Sequence, residues 1–217
     1  MKKLDIIYED KNILVINKPA GLLTVSTSKE KEKTLFYETS AYVKKSNPKA
    51  KIFIINRLDK ETSGIVMFAK NQSLKYKYQE RWNELAIKRG YVALVHNSFN
   101  DKKGNIKSYL KETKTMLVYS TDDKKNGKLA ITNYEVIKQN NKYALLNIEI
   151  KTGRKNQIRV HLNDINHPIV GDKKYGIKDN YKRLMLHANY LKIINPITNK
   201  EMEFECKVPK EFDALGK

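Results

Sequence analysis

Apolar residues along the chain come in short blocks, and the spacing inside each block predicts its element. "LDIIYEDKNILVINKP" reads as two strands around a turn at Asp10, Lys11 and Asn12, with Pro19 and Gly21 ending the second. Residues 26 to 50 are polar and carry a short helix around Leu35 to Val43. "KIFIINRL" and "GIVMFAK" are continuous apolar runs and read as buried strands on either side of a polar insert. In "NQSLKYKYQERWNELAIK", Leu74, Tyr78, Trp82 and Leu85 recur at helical spacing behind a capping Asn71, which places Trp82 in a core.

"GYVALVH", "NIKSYLKE", "TMLVYS", "KLAITNYEVIKQ" and "KYALLNIEIKT" follow as strands. In the last, Leu146, Ile148 and Ile150 alternate with Asn147, Glu149 and Lys151. "RKNQIRVHLNDINHP" has Ile158, Leu162 and Ile165 at helical spacing, Asn156 as a cap, and Asn166 with His167 and Pro168 as a stop, so it predicts a short helix. "RLMLHANYLKI" and "EMEFECKV" close the chain as strands. No repeat or strong linker interrupts this order, and the expected fold is α+β: a single mixed, largely antiparallel β-sheet with flanking helices, one domain over residues 1 to 217.

Composition agrees with a folded domain, being 40% hydrophobic and 31% charged. No run of roughly 18 apolar residues exists and the first residues meet charge early, so neither a membrane span nor a signal peptide is expected. The single cysteine, Cys206, excludes an internal disulfide and reads as a buried strand thiol, which suits the cytosol. Lys and Arg together number 43 against 24 Asp and Glu, a net charge of +19 that points to a polyanion, with nucleic acid first. Only six of those cations are arginine: Arg57, Arg81, Arg89, Arg154, Arg159 and Arg183. In a chain whose default cation is lysine, an arginine suggests use of its planar fork.

Metal chemistry finds no support, because the four histidines and one cysteine show no paired ligand spacing. The glycines form no nucleotide-binding loop either, so no cofactor is expected. Asp59 is the best nucleophile or base, lying at the end of a buried strand in the hydroxyl-rich turn "RLDKETSG". Position alone also fits an ordinary surface turn beside Lys60 and Glu61.

Six segments in order sharpen this: "NKPAGLLT" (17 to 24), "NRLDKETSG" (56 to 64), "GYVALV" (90 to 95), "TGRKNQIRVHL" (152 to 162), "HPIVGDKKYG" (167 to 176) and "LMLHA" (184 to 188). Together they resemble the RluA-type family of RNA pseudouridine synthases over nearly the whole chain. The resemblance implies the pseudouridine synthase fold and an isomerisation of uridine in ribosomal or transfer RNA. It implies that Asp59 is the catalytic carboxylate, that Arg159 pairs with it, and that Tyr91 stacks on the displaced uracil and helps remove its carbon-5 proton. By the same resemblance Arg57 is expected to fill the space of the extruded base or contact RNA beside it, while Thr62 is read as a support of the turn that presents Asp59. Lys18 and Arg154 are candidates for RNA phosphates.

Asn56 stands where the family usually has His, Lys155 and Asn156 where a small hydroxyl residue and His are common, and Asn166 where Gly is frequent. The chain starts at the first catalytic-domain strand, so no separate amino-terminal RNA-binding domain is expected, and RNA, not DNA, is the partner of a cytoplasmic monomer. Two other readings compete. A glycoside hydrolase needs two carboxylates roughly 5 to 9.5 Å apart, and Glu61 is the only near partner of Asp59. A catalytically silent basic RNA-binding module would keep the charge without the chemistry, and the intact trio of Asp59, Tyr91 and Arg159 argues against it.

Overall fold

The computed structural model describes residues 3–213. In chain order the elements are β1 (Ile6–Glu9), β2 (Ile13–Lys18), α1 (Leu35–Ser46), β3 (Phe53–Ile54), β4 (Ser63–Ala69), α2 (Gln72–Glu80), α3 (Trp82–Leu85), β5 (Lys88–His96), β6 (Lys103–Glu112), β7 (Val118–Thr121), β8 (Lys128–Gln139), β9 (Tyr143–Ile150), α4 (Gln157–Asp164), β10 (Leu186–Ile194) and β11 (Glu201–Glu205). The fold is α+β. The chain divides into two compact units, one built from the residues up to Ile87 with Ala188–Lys207, the other from Lys88–His187 with the segment from Val208.

In the first unit the strand order is β1-β2-β4-β10, with β3 added to β4 and β11 to β10. The β1–β2 turn is closed by Asp10, whose Oδ1 accepts from the backbone N–H groups of Asn12 and Ile13, both at 2.7 Å. Thr34 caps α1 through the N–H of Tyr37 at 3.1 Å and Asn71 caps α2 through that of Leu74 at 2.8 Å, each cap contributing about 0.5–2 kcal/mol. The core gathers Ile13, Val15, Ile65, Met67, Leu74, Tyr78, Ile193 and Phe204, with the Cys206 thiol buried among them and donating to the Ala188 carbonyl at 3.5 Å.

Two elements differ from the sequence pattern. The helix expected to run from Gln72 through Leu85 breaks at Arg81, whose φ of −119° is not helical, so Trp82 opens a separate turn and meets Tyr78 edge-on at 6.4 Å. Trp82 packs against the core while remaining partly exposed. The run "KIFIINRL" forms only the two-residue β3: the Ile55 N–H still donates to the Met67 carbonyl at 3.0 Å, but the return bond goes to the Asn56 side chain. Its Oδ1 accepts from the Met67 N–H at 2.8 Å and its Nδ2 donates to the Ile65 carbonyl at 3.3 Å, so a side chain stands in for the next ladder residue.

In the second unit an antiparallel sheet of order β5-β9-β8-β6-β7 carries α4 on one face, with Ile158 and Leu162 meeting Leu146 and Ile148 in the core. Burial of each such side chain stabilises by about 1.5–3 kcal/mol. Two polar residues of α4 dock on the same sheet. Gln157 Nε2 donates to Thr132 Oγ1 and to the Ile131 carbonyl, both at 3.0 Å, and His161 bonds Thr132 Oγ1 at 2.9 Å through Nδ1 and Ser108 Oγ at 3.0 Å through Nε2. His161 is fully buried, and burial lowers its pKa from 6.5 to about 4.

That shift has a signed consequence. Between about pH 6.5 and 4 the unfolded chain takes a proton at this residue that the folded chain refuses, so stability falls as pH falls through that window. At 1.36 kcal/mol per unit the loss is on the order of 3 kcal/mol. Urea unfolding across this range is expected to show the decline in the wild type and a flatter profile in His161→Gln. Parallel profiles for the two proteins would show that His161 does not carry the effect.

Candidate active site

Asp59 sits in the polar loop between β3 and β4, half-buried between Leu58 at 9% exposure and Thr62 at 2%. A short carboxylate holds a fixed position only if its backbone is fixed, and three sets of bonds do this. The Thr62 N–H donates to the Asp59 carbonyl at 3.2 Å, closing a turn. Thr24 Oγ1 donates to the Leu58 carbonyl at 2.7 Å and accepts from the Leu58 N–H at 3.3 Å. Lys18 Nζ donates to the carbonyls of Pro19 at 3.0 Å, Leu22 at 2.7 Å and Lys60 at 3.1 Å, while the Gly21 N–H reaches the same Lys60 carbonyl at 2.9 Å.

The segment "NKPAGLLT" is therefore a brace for the Asp59 loop. Gly21, at φ +82°, makes the bend that brings its N–H there. Lys18 is completely buried, so its ammonium is spent on internal carbonyls in place of the RNA phosphate expected from the sequence. Behind the loop, Gly64 at φ +118° runs against the backbone of Ala188, where any Cβ would overlap. Thr62 Oγ1 is buried with no hydrogen-bond partner among the described residues, and Arg57 is exposed.

Replacing Lys18 with Met is expected to leave several buried carbonyls unsatisfied, at about 1–3 kcal/mol for each such group. We expect lower thermal stability and a lower kcat, with the salt dependence of RNA binding unchanged. A salt dependence weakened by one phosphate contact would instead return Lys18 to the RNA surface.

The second unit places Arg159 on α4 at 7% exposure, with its guanidinium fully oriented. Nε donates to Asp172 Oδ2 at 2.8 Å and Nη2 to Asp172 Oδ1 at 2.7 Å, a two-point pair. Nη1 donates to Asn156 Oδ1 at 3.2 Å, and the Tyr175 ring lies 5.0 Å from the guanidinium carbon. The carboxylate on this side of the fork is Asp172, a residue of "HPIVGDKKYG" to which the sequence assigned no role. Asp172 is 2% exposed, and its Oδ1 also accepts the N–H groups of Lys174 at 2.9 Å and Tyr175 at 3.0 Å. Burial works against its charge, but the hydrogen bonds and charge of Arg159 and those two N–H groups outweigh it and hold the carboxyl below the usual carboxylate range.

Asn156 stands at the N-cap position but in the left-handed region at φ +55°, without a capping bond of its own. Its side chain instead links Arg159 to the Tyr175 hydroxyl, to which Nδ2 donates at 3.0 Å. Gln157 Oε1 accepts the Arg154 N–H at 3.0 Å and so holds the preceding turn. Arg154 is exposed, its Nε donating to the Leu129 carbonyl at 3.0 Å. Tyr91, on β5, is paired in register with Ile148 of β9 and packs partly buried against the core beneath α4.

Comparison with known proteins gives this geometry a family. The sequence profile described as RNA pseudouridylate synthase matches residues 12–164. The uncharacterized RNA pseudouridine synthase MG209 of Mycoplasma genitalium is 39% identical over 98% of this chain and 69% of its own length. Ribosomal large subunit pseudouridine synthase C of Rickettsia bellii is 35% identical over 97% of this chain and 70% of that protein. Among solved structures, human RNA pseudouridylate synthase domain containing 4 superposes with a TM-score of 0.81 at 24% identity, covering 96% of this chain and 90% of that one, which shows the shared fold. With the profile spanning most of the chain and relatives above 30% identity matching nearly all of it, the chain belongs to the RluA-type family of RNA pseudouridine synthases, isomerases that act on RNA.

Proposed function

We propose that this chain isomerises uridine to pseudouridine in large-subunit ribosomal RNA, with Asp59 as its catalytic carboxylate, as a cytoplasmic monomer. The braced loop carries the proposal: Asp59 is partly exposed in a stretch where the backbone groups of Leu58, Lys60 and Thr62 are all held by hydrogen bonds. Among the described residues no helix is long and apolar enough to cross a membrane. The ribosomal target is supported by the names of the relatives, the synthases C of Rickettsia and the large-subunit synthase D of Borreliella burgdorferi.

The reaction breaks the bond between ribose carbon 1 and uracil N1 and forms one between ribose carbon 1 and uracil carbon 5. The carbon-5 proton leaves and N1 gains one, so no atom or electron is imported. Asp59 acts on the ribose, as nucleophile at carbon 1 or as base at carbon 2, and both routes need the same ionised, immobile carboxylate. The base must first leave its stack, at a cost of a few kcal/mol. Tyr91 offers the surface that receives it, and Arg57, exposed on the Asp59 loop, meets the RNA from which the base was drawn. Arg159 is the cation of the reaction, its plane fixed by Asp172.

Carbodiimide mapping of ribosomal and transfer RNA from cells with and without the protein tests the target. A modification in large-subunit ribosomal RNA that disappears with the protein is the expected result. One that disappears from transfer RNA alone would replace the proposed substrate.

A further inference from the structure

Arg89 is buried at 8% exposure and belongs to none of the groups given a role above. It lies two residues before Tyr91 on β5, so both side chains leave the strand on the same face. Its Nη2 donates to the Lys151 carbonyl, and its Nη1 lies so near Gly153 that a Cβ there would be 3.3 Å away. Its Nε has no hydrogen-bond partner among the described residues. The contrast with Arg159 is direct. Arg159 is equally buried and carries a carboxylate on its fork, whereas no described carboxylate pairs with Arg89, and the nearby Glu149 is bound by Lys151 Nζ. Burial lowers the pKa of Arg89 and the neighbouring Arg154 adds to this, while Tyr91 and Glu149 work against it without reversing it.

A buried guanidinium with no carboxylate on its fork among the described residues is poorly compensated, so an anion brought from outside is favoured beside it. Two cations converge on the turn Lys151–Arg154, one beneath it and one exposed upon it. Gly153 keeps the turn free of a side chain there. We propose that Arg89 and Arg154 form a phosphate cradle at this turn, which takes a backbone phosphate of the RNA next to the nucleotide stacked on Tyr91. This rests on the reading of the chain as a pseudouridine synthase that stacks its base on Tyr91. A phosphodiester supplies the missing anion to both guanidiniums together, and binding to it carries no sequence information.

The test uses the full chain with Arg89→Met, Arg89→Lys and Arg154→Met, reading thermal stability, salt titration of RNA binding, and steady-state pseudouridine formation. Arg89→Met is expected to be at least as stable as the wild type, because it removes an unmatched buried charge, and to bind RNA several-fold more weakly. Its log–log salt slope should fall by about 0.7 to 0.9, the value of one phosphate contact. Arg154→Met should lose a similar slope, Arg89→Lys should retain most of it, and the loss in turnover should appear in KM. Arg89→Met with an unchanged slope overturns the cradle, whether or not the variant is destabilised. A wild type that forms no pseudouridine on any RNA, with the slopes behaving as described, would sink the enzymatic reading and leave the cradle standing.

Discussion

Asp59→Asn is expected to abolish pseudouridine formation while RNA binding stays within a few fold of the wild type. The substitution keeps the size of the side chain and removes the carboxylate that attacks carbon 1 or takes the carbon-2 proton. The loop should stay in place, because the bonds that fix it come from Lys18, Thr24, Gly21 and the Thr62 N–H, none of which uses the Asp59 side chain. Measured by carbodiimide mapping on the same RNA, more than residual turnover by Asp59→Asn would end the proposed mechanism.

The second large effect lies at Asp172. Asp172→Asn removes the charge from the two-point partner of the buried Arg159 guanidinium, and breaking such a pair costs about 3–5 kcal/mol. We expect a large fall in thermal stability and a severe loss of kcat, since the arginine then lacks the carboxylate that sets its plane. A double variant, Arg159→Met with Asp172→Leu, separates the two consequences. With both charges gone, the apolar pair should recover much of the stability and remain inactive. Recovery of turnover along with stability would show that the pair serves the fold alone.

Much of the fold was legible because local chemistry fixed it. Asp10 in the β1–β2 turn and the cap Asn71 act within two or three residues, and the apolar spacing of Ile158 and Leu162 set the inner face of α4. The break at Arg81 was not legible, because Leu74, Tyr78, Trp82 and Leu85 keep helical spacing across it. The early end of β3 depends on Asn56 reaching Ile65 and Met67, a contact with residues nine and eleven places away.

The same divide runs through the candidate site. Arg159 was marked by the scarcity of arginine and by its motif, but its carboxylate lies thirteen residues on, in a turn whose "GDKKYG" reads as punctuation. The sequence makes Lys18 a candidate for an RNA phosphate, and lysine is almost never fully buried unless its charge is met. Its burial depends on the convergence of three carbonyls, two from the bend after β2 and one from the Asp59 loop forty-two residues away. Arg89 stood outside the quoted motifs, and only its unmatched burial distinguishes it from a solvated cation.

Release of tritium from RNA labelled at carbon 5 of uridine tests the central claim most directly, because the new bond to ribose must displace that hydrogen. The wild-type chain is expected to release tritium in proportion to the pseudouridine formed, and Asp59→Asn to release none while still binding the RNA. Release by Asp59→Asn at the wild-type rate, or no release by the wild type from either ribosomal or transfer RNA, would contradict it.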